Sequence, residues 1–342
     1  MGVRRTRRSV LAGLAVAAML ATGDAAAETR LSFTLDSPIR GPSAPFLTPL
    51  DSGAYKAEGL NVSIEPAADA MEPITRVASG AFDMGFADVN ALIRFRDANP
   101  KTPVKAVFMV YNRPAYAIIA RKSRGIAGPK DLEGKKIGAP AADPAAAQWP
   151  LFAQLNGIDA GKVTIENVGM PVREPMLTAG QVDAITGLTF RSYINLKDRG
   201  VPLDDIVVLL MADHGVELYG NAIIVNPKFA AENPEAVRGF LRAYLKSLKE
   251  TVRRPGRAVD SVLKREEGLK RTTEFDRLSS AIHDSIATPE VRANGYGDID
   301  RVRFARAIDQ IAQAYKFKNE KPKPDDIFDA SFLPAAGERR YP

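Results

Sequence analysis

Short apolar runs alternate along the chain with stretches whose apolar positions recur at helical spacing. Residues 30–35, 60–65, 83–87 and 104–110 predict a first set of strands, and 46–56, 73–79 and 89–97 suit short helices between them. A second set of strands is expected at 116–121, 135–139, 163–167, 182–186 and 206–211, with helices at 144–156, 174–179 and 191–198. This alternation argues for an α/β chain built on parallel sheets. From Asn233 the pattern changes. Val237, Phe240, Leu241, Tyr244, Leu245 and Leu248 recur at helical spacing, with Asn233 as the expected cap and Pro234 at the first helical position. Further helices are expected at 255–264, 274–285 and 301–315, so the C-terminal third is helix-rich. Pro322, Pro324 and Pro334 mark an extended tail that should pack across a surface.

The first 27 residues fall outside this pattern. Arg4, Arg5, Arg7 and Arg8 precede an apolar run at 10–20, and Ala25, Ala26 and Ala27 offer a small-residue cleavage site. Residues 1–27 therefore read as an export signal, leaving Glu28 as the mature N-terminus. The run is too short to span a bilayer, which needs roughly 20 apolar residues. Thr6-Arg7-Arg8-Ser9-Val10-Leu11 is similar to a twin-arginine signal, with Val10 and Ala12 where that pattern prefers an aromatic and a lysine.

The chain contains no cysteine. That excludes disulfides, thiolate metal sites, a cysteine nucleophile and a cysteine-borne lipid anchor. The two histidines, His214 and His283, form no ligand-spaced pair, so neither a metal nor a cofactor is expected. Of 47 basic and 41 acidic residues, four arginines and Asp24 fall in residues 1–27, leaving 43 against 40, a net of +3. So mild a balance gives no support to a nucleic-acid or membrane-surface partner. The expectation is a soluble, unlipidated protein of the periplasm.

Three stretches carry a family resemblance. LSFTLDSPIRGPSAPFLTPLDSGAYKAEGL (31–60) reads as strand, loop, helix and turn; ASGAFDMGFADVNAL (78–92) as helix end, turn and strand; KDLEGKKIGAP (130–140) as short helix, turn and strand. With GQVDAITG (180–187), LYGNAIIVN (218–226) and TPEVRANGYG (288–297), they resemble periplasmic substrate-binding proteins of the nitrate/sulfonate/taurine and thiamine-pyrimidine-precursor type. The resemblance implies a bilobal periplasmic-binding-protein fold of type II, with two doubly wound lobes joined by two crossovers. The crossovers would fall near 111–115 and 219–224, giving lobe one as 28–112 plus 221–342 and lobe two as 113–220. It also implies a monomeric receptor that carries a small molecule to an ABC permease in the inner membrane. A sensory ligand-binding module is the alternative, and neighbouring genes for an ATPase and permease would separate the two. Fungal thiamine-pyrimidine synthases share this fold, with a cysteine-rich motif and a reactive histidine. Here cysteine is absent and Ser43 stands in the first-loop region where a histidine is common, so no enzyme is expected and no catalytic residue is assigned.

Open α/β sheets bind ligands beyond the carboxyl ends of their strands, so the loops after the strands nominate the site. Asp36 and Ser37 follow the first strand, and Asp88 and Asn90 follow the third. Asp88 equally suits a helix cap, as does Asp143 before Pro144. Trp149, the lone tryptophan, is a candidate flat wall or a packing residue. Tyr111 and Arg113 flank the first crossover and Tyr219 the second. Glu174 opens a helix, Thr186 and Gly187 end a strand, and Phe190 follows. Asp36, Asp88 and Glu174 as acceptors, with Trp149, Tyr111, Phe190 and Tyr219 as flat walls, favour a small heteroaromatic solute bearing donors, pyrimidine-like in character. Arg40, Arg113, Arg173 and Arg191 keep an organic sulfonate open, because an arginine holds such a group directly or neutralises a carboxylate.

Overall fold

The computed structural model describes residues 1–2 and 28–341. The cleavage site at Ala25–Ala27 and the arginine pair Arg7-Arg8 lie outside the described residues, and so does the expected export signal apart from Met1 and Gly2. No described helix is long and apolar enough to cross a membrane.

Two five-stranded sheets organise the chain. The first contains β1 (Thr29–Thr34), β2 (Leu60–Glu65), β3 (Met84–Asp88) and β4 (Lys105–Met109). The second contains β5 (Tyr116–Arg121), β6 (Lys136–Gly138), β7 (Thr164–Glu166), β8 (Ala184–Leu188) and β9 (Ile206–Leu210). The chain then returns to the first sheet as β10 (Asn221–Val225). Strand orders are β2-β1-β3-β10-β4 and β7-β6-β8-β5-β9.

Both sheets are mixed, which corrects the all-parallel expectation. β10 runs antiparallel to β3 and β4, and β5 antiparallel to β8 and β9. Each reversed strand is the one that arrives directly from the other sheet. Parallel neighbours need a long crossover, usually through a helix, and neither link between the sheets supplies one. β10 also occupies a segment read beforehand as part of the crossover at 219–224. Its five residues are all buried, as a strand covered on both faces demands.

The core follows the apolar spacing. The helix Pro234–Arg253 buries Val237, Phe240, Leu241, Tyr244, Leu245 and Leu248 against the first sheet. Phe33 and Phe240 stack with ring centroids 5.0 Å apart, and Phe46 and Tyr244 at 4.5 Å. Asn233 precedes this helix but its side chain makes no capping bond; Asn226 caps the short helix Pro227–Glu232 instead. The expected helix at 46–56 breaks at Gly53, whose φ of 73° ends Ala44–Ser52 before Ala54–Ala57 begins. The C-terminal tail packs back across the first sheet, where Phe328 bridges Ala106 and Asp329 N–H donates to the Ala106 carbonyl at 2.8 Å.

Candidate functional site

A cleft of about 330 Å³ opens beyond the carboxyl ends of both sheets, within the size range of small-molecule sites. The first sheet contributes Asp36 after β1, Phe86 on β3 and Tyr111 after β4. The second contributes Glu174, at the start of the helix Arg173–Ala179, and Phe190 and Arg191 from the π-helical turn Thr189–Tyr193 after β8. Such π-turns recur at functional sites. Phe86 meets Tyr111 edge-on at 5.2 Å, and Tyr111 lies 5.9 Å from Phe190 across the gap between the sheets. Two aromatic faces from different sheets thus converge on one space.

Asp36 gives this space an acceptor. Its carboxylate receives Asn221 Nδ2 at 2.8 Å and Ser37 Oγ at 3.0 Å. Burial raises its pKa, opposed by the Arg191 guanidinium and by these hydrogen bonds. Burial first, and the Asp36 charge second, push the Tyr111 hydroxyl well above its ordinary range.

Glu174 is held differently. Arg173 donates Nη2 to Glu174 Oε1 at 2.7 Å, to Ser192 Oγ at 2.7 Å, and Nη1 to Asp143 Oδ2 at 2.9 Å. Both ion pairs are almost wholly buried. Burial tends to raise the Glu174 pKa, but Arg173 and Ser192 outweigh it and hold the carboxyl low.

A loop and a distant helix complete the rim. Gly41 N–H donates to Glu274 Oε2 at 2.7 Å, and a Cβ on Gly41 would meet the Glu274 carbonyl oxygen at 2.1 Å, so only glycine fits. This contact sets Arg40 beside the helix Arg271–Ala281, from which Arg277 reaches the same cleft. Arg277 ion-pairs with Glu274 and donates to Asn195 Oδ1 at 2.8 Å. Thr273 to Asp198, Lys197 to Asp276 and Thr189 to Asp284 join the same two segments at 2.6–2.8 Å.

Of the residues nominated from sequence, Asp36, Ser37, Tyr111, Glu174 and Phe190 line this cleft. The others lie elsewhere, each for a local reason. Asp88 caps the helix Val89–Ala98, accepting Asn90 N–H at 2.8 Å and Asn90 Nδ2 at 2.9 Å. Asn90 also donates to the Tyr219 carbonyl at 2.6 Å, so both side chains serve local backbone. Asp88 borders a second, shallower depression with Arg94 and Asp143. Trp149 is buried in the core, its ring 6.3 Å from that of Phe152. Thr186 Oγ1 donates to Asp143 Oδ2 at 2.7 Å. Gly187 leaves room for Ser192, so these two support the Arg173 network from behind. Arg113 pairs with Asp213 in a separate groove. Tyr219 is buried just before β10, its hydroxyl 2.7 Å from Glu290 and its ring 4.0 Å from the Arg303 guanidinium.

Arg277, Phe86, Met170 and Asn195 were not nominated and line the cleft. Phe86 sits two residues before the end of β3 and was within reach of the strand-end argument. Arg277 was not, since it comes from a helix far along the chain. Among the described residues no cluster of His, Cys, Asp and Glu suits a metal ion.

The architecture is that of the periplasmic-binding-protein fold. The chain superposes on the aliphatic sulphonate-binding protein SsuA of Escherichia coli with a TM-score of 0.70 at 12% identity, covering 90% of this chain and 94% of that one. For the nitrate-binding protein NrtA of Synechocystis PCC 6803 the TM-score is 0.65 at 11% identity, covering 89% and 87%. Residues 42–258 match the NMT1/THI5-like family, and the chain belongs to it. It is 29% identical over 220 residues to the riboflavin-binding protein RibY of Chloroflexus aurantiacus, covering 64% of this chain and 61% of that one. A formylaminopyrimidine-binding protein of Halalkalibacterium halodurans is 26% identical, covering 63% and 64%. A 4-amino-5-hydroxymethyl-2-methylpyrimidine phosphate synthase of Aspergillus parasiticus is 27% identical, covering 64% and 65%. The chain thus spans somewhat under two thirds of each of these three relatives.

The last similarity corrects the expectation that no enzyme is at hand. Relatives named as synthases from Aspergillus parasiticus and Schizosaccharomyces pombe match at 25–27% identity, alongside the binding proteins. The family therefore holds both. Activity resides in the few residues placed on a fold, not in the fold itself.

Proposed function

We propose that this chain is a solute-binding receptor of the periplasm that delivers a small, flat, nitrogen-bearing ring to an ABC permease. On this reading, residues 28–112 with 221–342 form one lobe and 113–220 the other, and the lobes close on the solute. The observation that carries the reading is the pair Tyr111 and Phe190, set 5.9 Å apart by different sheets over the buried Asp36 acceptor. Aromatic faces accept a flat ring, and a carboxylate accepts ring N–H or amino protons. The riboflavin and formylaminopyrimidine in the names of two relatives are rings of this kind.

A ligand that binds only the folded form at about a hundredfold its Kd stabilises by about 2.7 kcal/mol. A thermal-shift screen of pyrimidines, flavins, aromatic carboxylates, alkanesulfonates and nitrate tests the proposal. Heteroaromatic solutes should raise the melting temperature by several degrees, and Tyr111→Ala should abolish the shift. Mass spectrometry of the same incubations reports any conversion of the hit. Stabilisation by nitrate or simple alkanesulfonates, with none from any ring compound, overturns the assignment of solute class.

A further inference from the structure

Arg40, Arg191 and Arg277 all line the cleft, two from the first sheet's side and one from the second's. Their surroundings differ from those of Arg173, which two buried carboxylates match. Arg277 has Glu274. Among the described residues the Arg40 guanidinium donates only to the neighbouring Ile39 carbonyl, at 2.6 Å. Neither Arg40 nor Arg191 has an ion-pair partner among the described residues, whereas Arg121, Arg242, Arg303 and Arg306 each have one.

We infer that Arg40, Arg191 and Arg277 form an anion subsite, so that the ring solute carries a carboxylate, sulfonate or phosphate group at its edge. The inference rests on the receptor reading above and narrows its ligand class. Guanidinium groups present paired N–H donors that match such oxyanions, and charge-assisted hydrogen bonds of this kind are among the stronger ones. The three arginines also act on one another. Burial pushes the Arg277 pKa down, and the neighbouring charges of Arg40 and Arg191 add to that push while Glu274 opposes it. An oxyanion between them removes this repulsion across the gap. Asp36, the remaining carboxylate of the cleft, has no basic hydrogen-bond partner, and burial raises its pKa against the opposing charge of Arg191. An anion beside an unpaired buried carboxylate is costly, so the anionic group must lie on the arginines and the ring on Asp36. Arg277 further links the subsite to Asn195 of the opposite segment, so an anion bound there tightens the contact by which the two sides meet.

The test compares three compounds by titration calorimetry on the full chain without its first 27 residues: 4-amino-2-methylpyrimidine, its 5-carboxylate and its 5-methyl phosphate ester. The anionic members should bind at least about tenfold more tightly than the neutral ring, which corresponds to about 1.4 kcal/mol. That margin should shrink as salt rises from low to physiological strength. Arg40→Gln and Arg191→Gln should each collapse the ratio of anionic to neutral affinity, with folding verified by circular dichroism. Lys228→Gln, an exposed lysine distant from the cleft, should leave the ratio intact. Equal binding of the neutral and anionic rings, or a preference that survives both arginine substitutions, overturns the subsite while the receptor reading stands. Failure of every ring compound to bind overturns both.

Discussion

Arg173→Ala should be among the most damaging single substitutions in the second sheet's half of the molecule. The guanidinium is 2% exposed and spans Asp143 and Glu174, whose side chains are 1% and 4% exposed. Without it, Asp143 keeps Thr186 Oγ1 and the Ala145 N–H as donors, but Glu174 loses both of its bonds from Arg173. Removing one partner of a buried pair costs about 3–5 kcal/mol, because an uncompensated charge is left behind. For a protein of this size that is a fall of roughly 5–8 °C in Tm. The pH dependence supplies a second, independent check. Arg173 holds the Glu174 pKa low, so the stabilisation is complete above the ordinary carboxylate value, about 4.3, and fades as pH falls towards the folded value. The penalty of Arg173→Ala should therefore be largest at neutral pH and shrink in acid. Adding Glu174→Gln should recover part of it, since the stranded charge is gone. Differential scanning calorimetry across this pH range measures all three. A loss under about 1 kcal/mol, the size of an exposed surface pair, or a loss independent of pH, would refute the buried-pair reasoning.

Three further substitutions probe the same framework. Burial raises the Asp36 pKa, so the folded chain binds that proton more tightly than the unfolded one and the group costs stability above its folded pKa. Asp36→Asn should leave the ligand-free protein as stable or more stable at neutral pH, with the gain vanishing below about pH 4; denaturant melts over that range check the trend. A Cβ at Gly187 would lie 2.3 Å from Ser192 Oγ and 2.9 Å from its Cβ. Gly187→Ala should thus cost about 1–3 kcal/mol by overpacking, read as a lower urea midpoint. Tyr219→Phe strips a hydroxyl that donates to Glu290 and accepts from Asp300 N–H at 2.8 Å. It should cost about 1–3 kcal/mol, and hydrogen exchange should rise at the hinge backbone around Asn112 and Leu218.

Local pattern carried much of the fold. Apolar spacing located Pro234–Arg253 and Arg301–Tyr315, and short apolar runs located nine of the ten strands to within a residue or two. Strand direction was not legible, because it depends on which strands enter from the other sheet, and a run of residues does not state its neighbours. β10 shows this best: NAIIV reads equally as a linker or as a strand buried on both faces. The site divided along the same line. Asp36 and Phe190 follow strand ends and were found by that rule, and Tyr111 was found as a flank of the first crossover. Asp88 follows a strand too, yet the helix Val89–Ala98 uses its carboxylate as a cap. Asp143 was read as a cap; it accepts the Ala145 N–H at 3.0 Å, but Ala145 itself is the cap of the turn Ala146–Gln148, and the other Asp143 oxygen holds Arg173. No spacing in the sequence links residues 143 and 173, or Gly41 and Glu274. Those contacts place the buried ion pairs and Arg277, and only the folded chain brings them together.

The account turns on a solute held between the two sheets and touched by residues of both. A co-crystal structure with the strongest thermal-shift hit measures this directly. The account predicts a ring resting against Tyr111 and Phe190, a donor on Asp36, and contacts from Arg191 on one side and Arg40 or Arg277 on the other. A ligand seated in the hinge groove by Arg113 and Glu290, or resting on one sheet's loops alone, would contradict it.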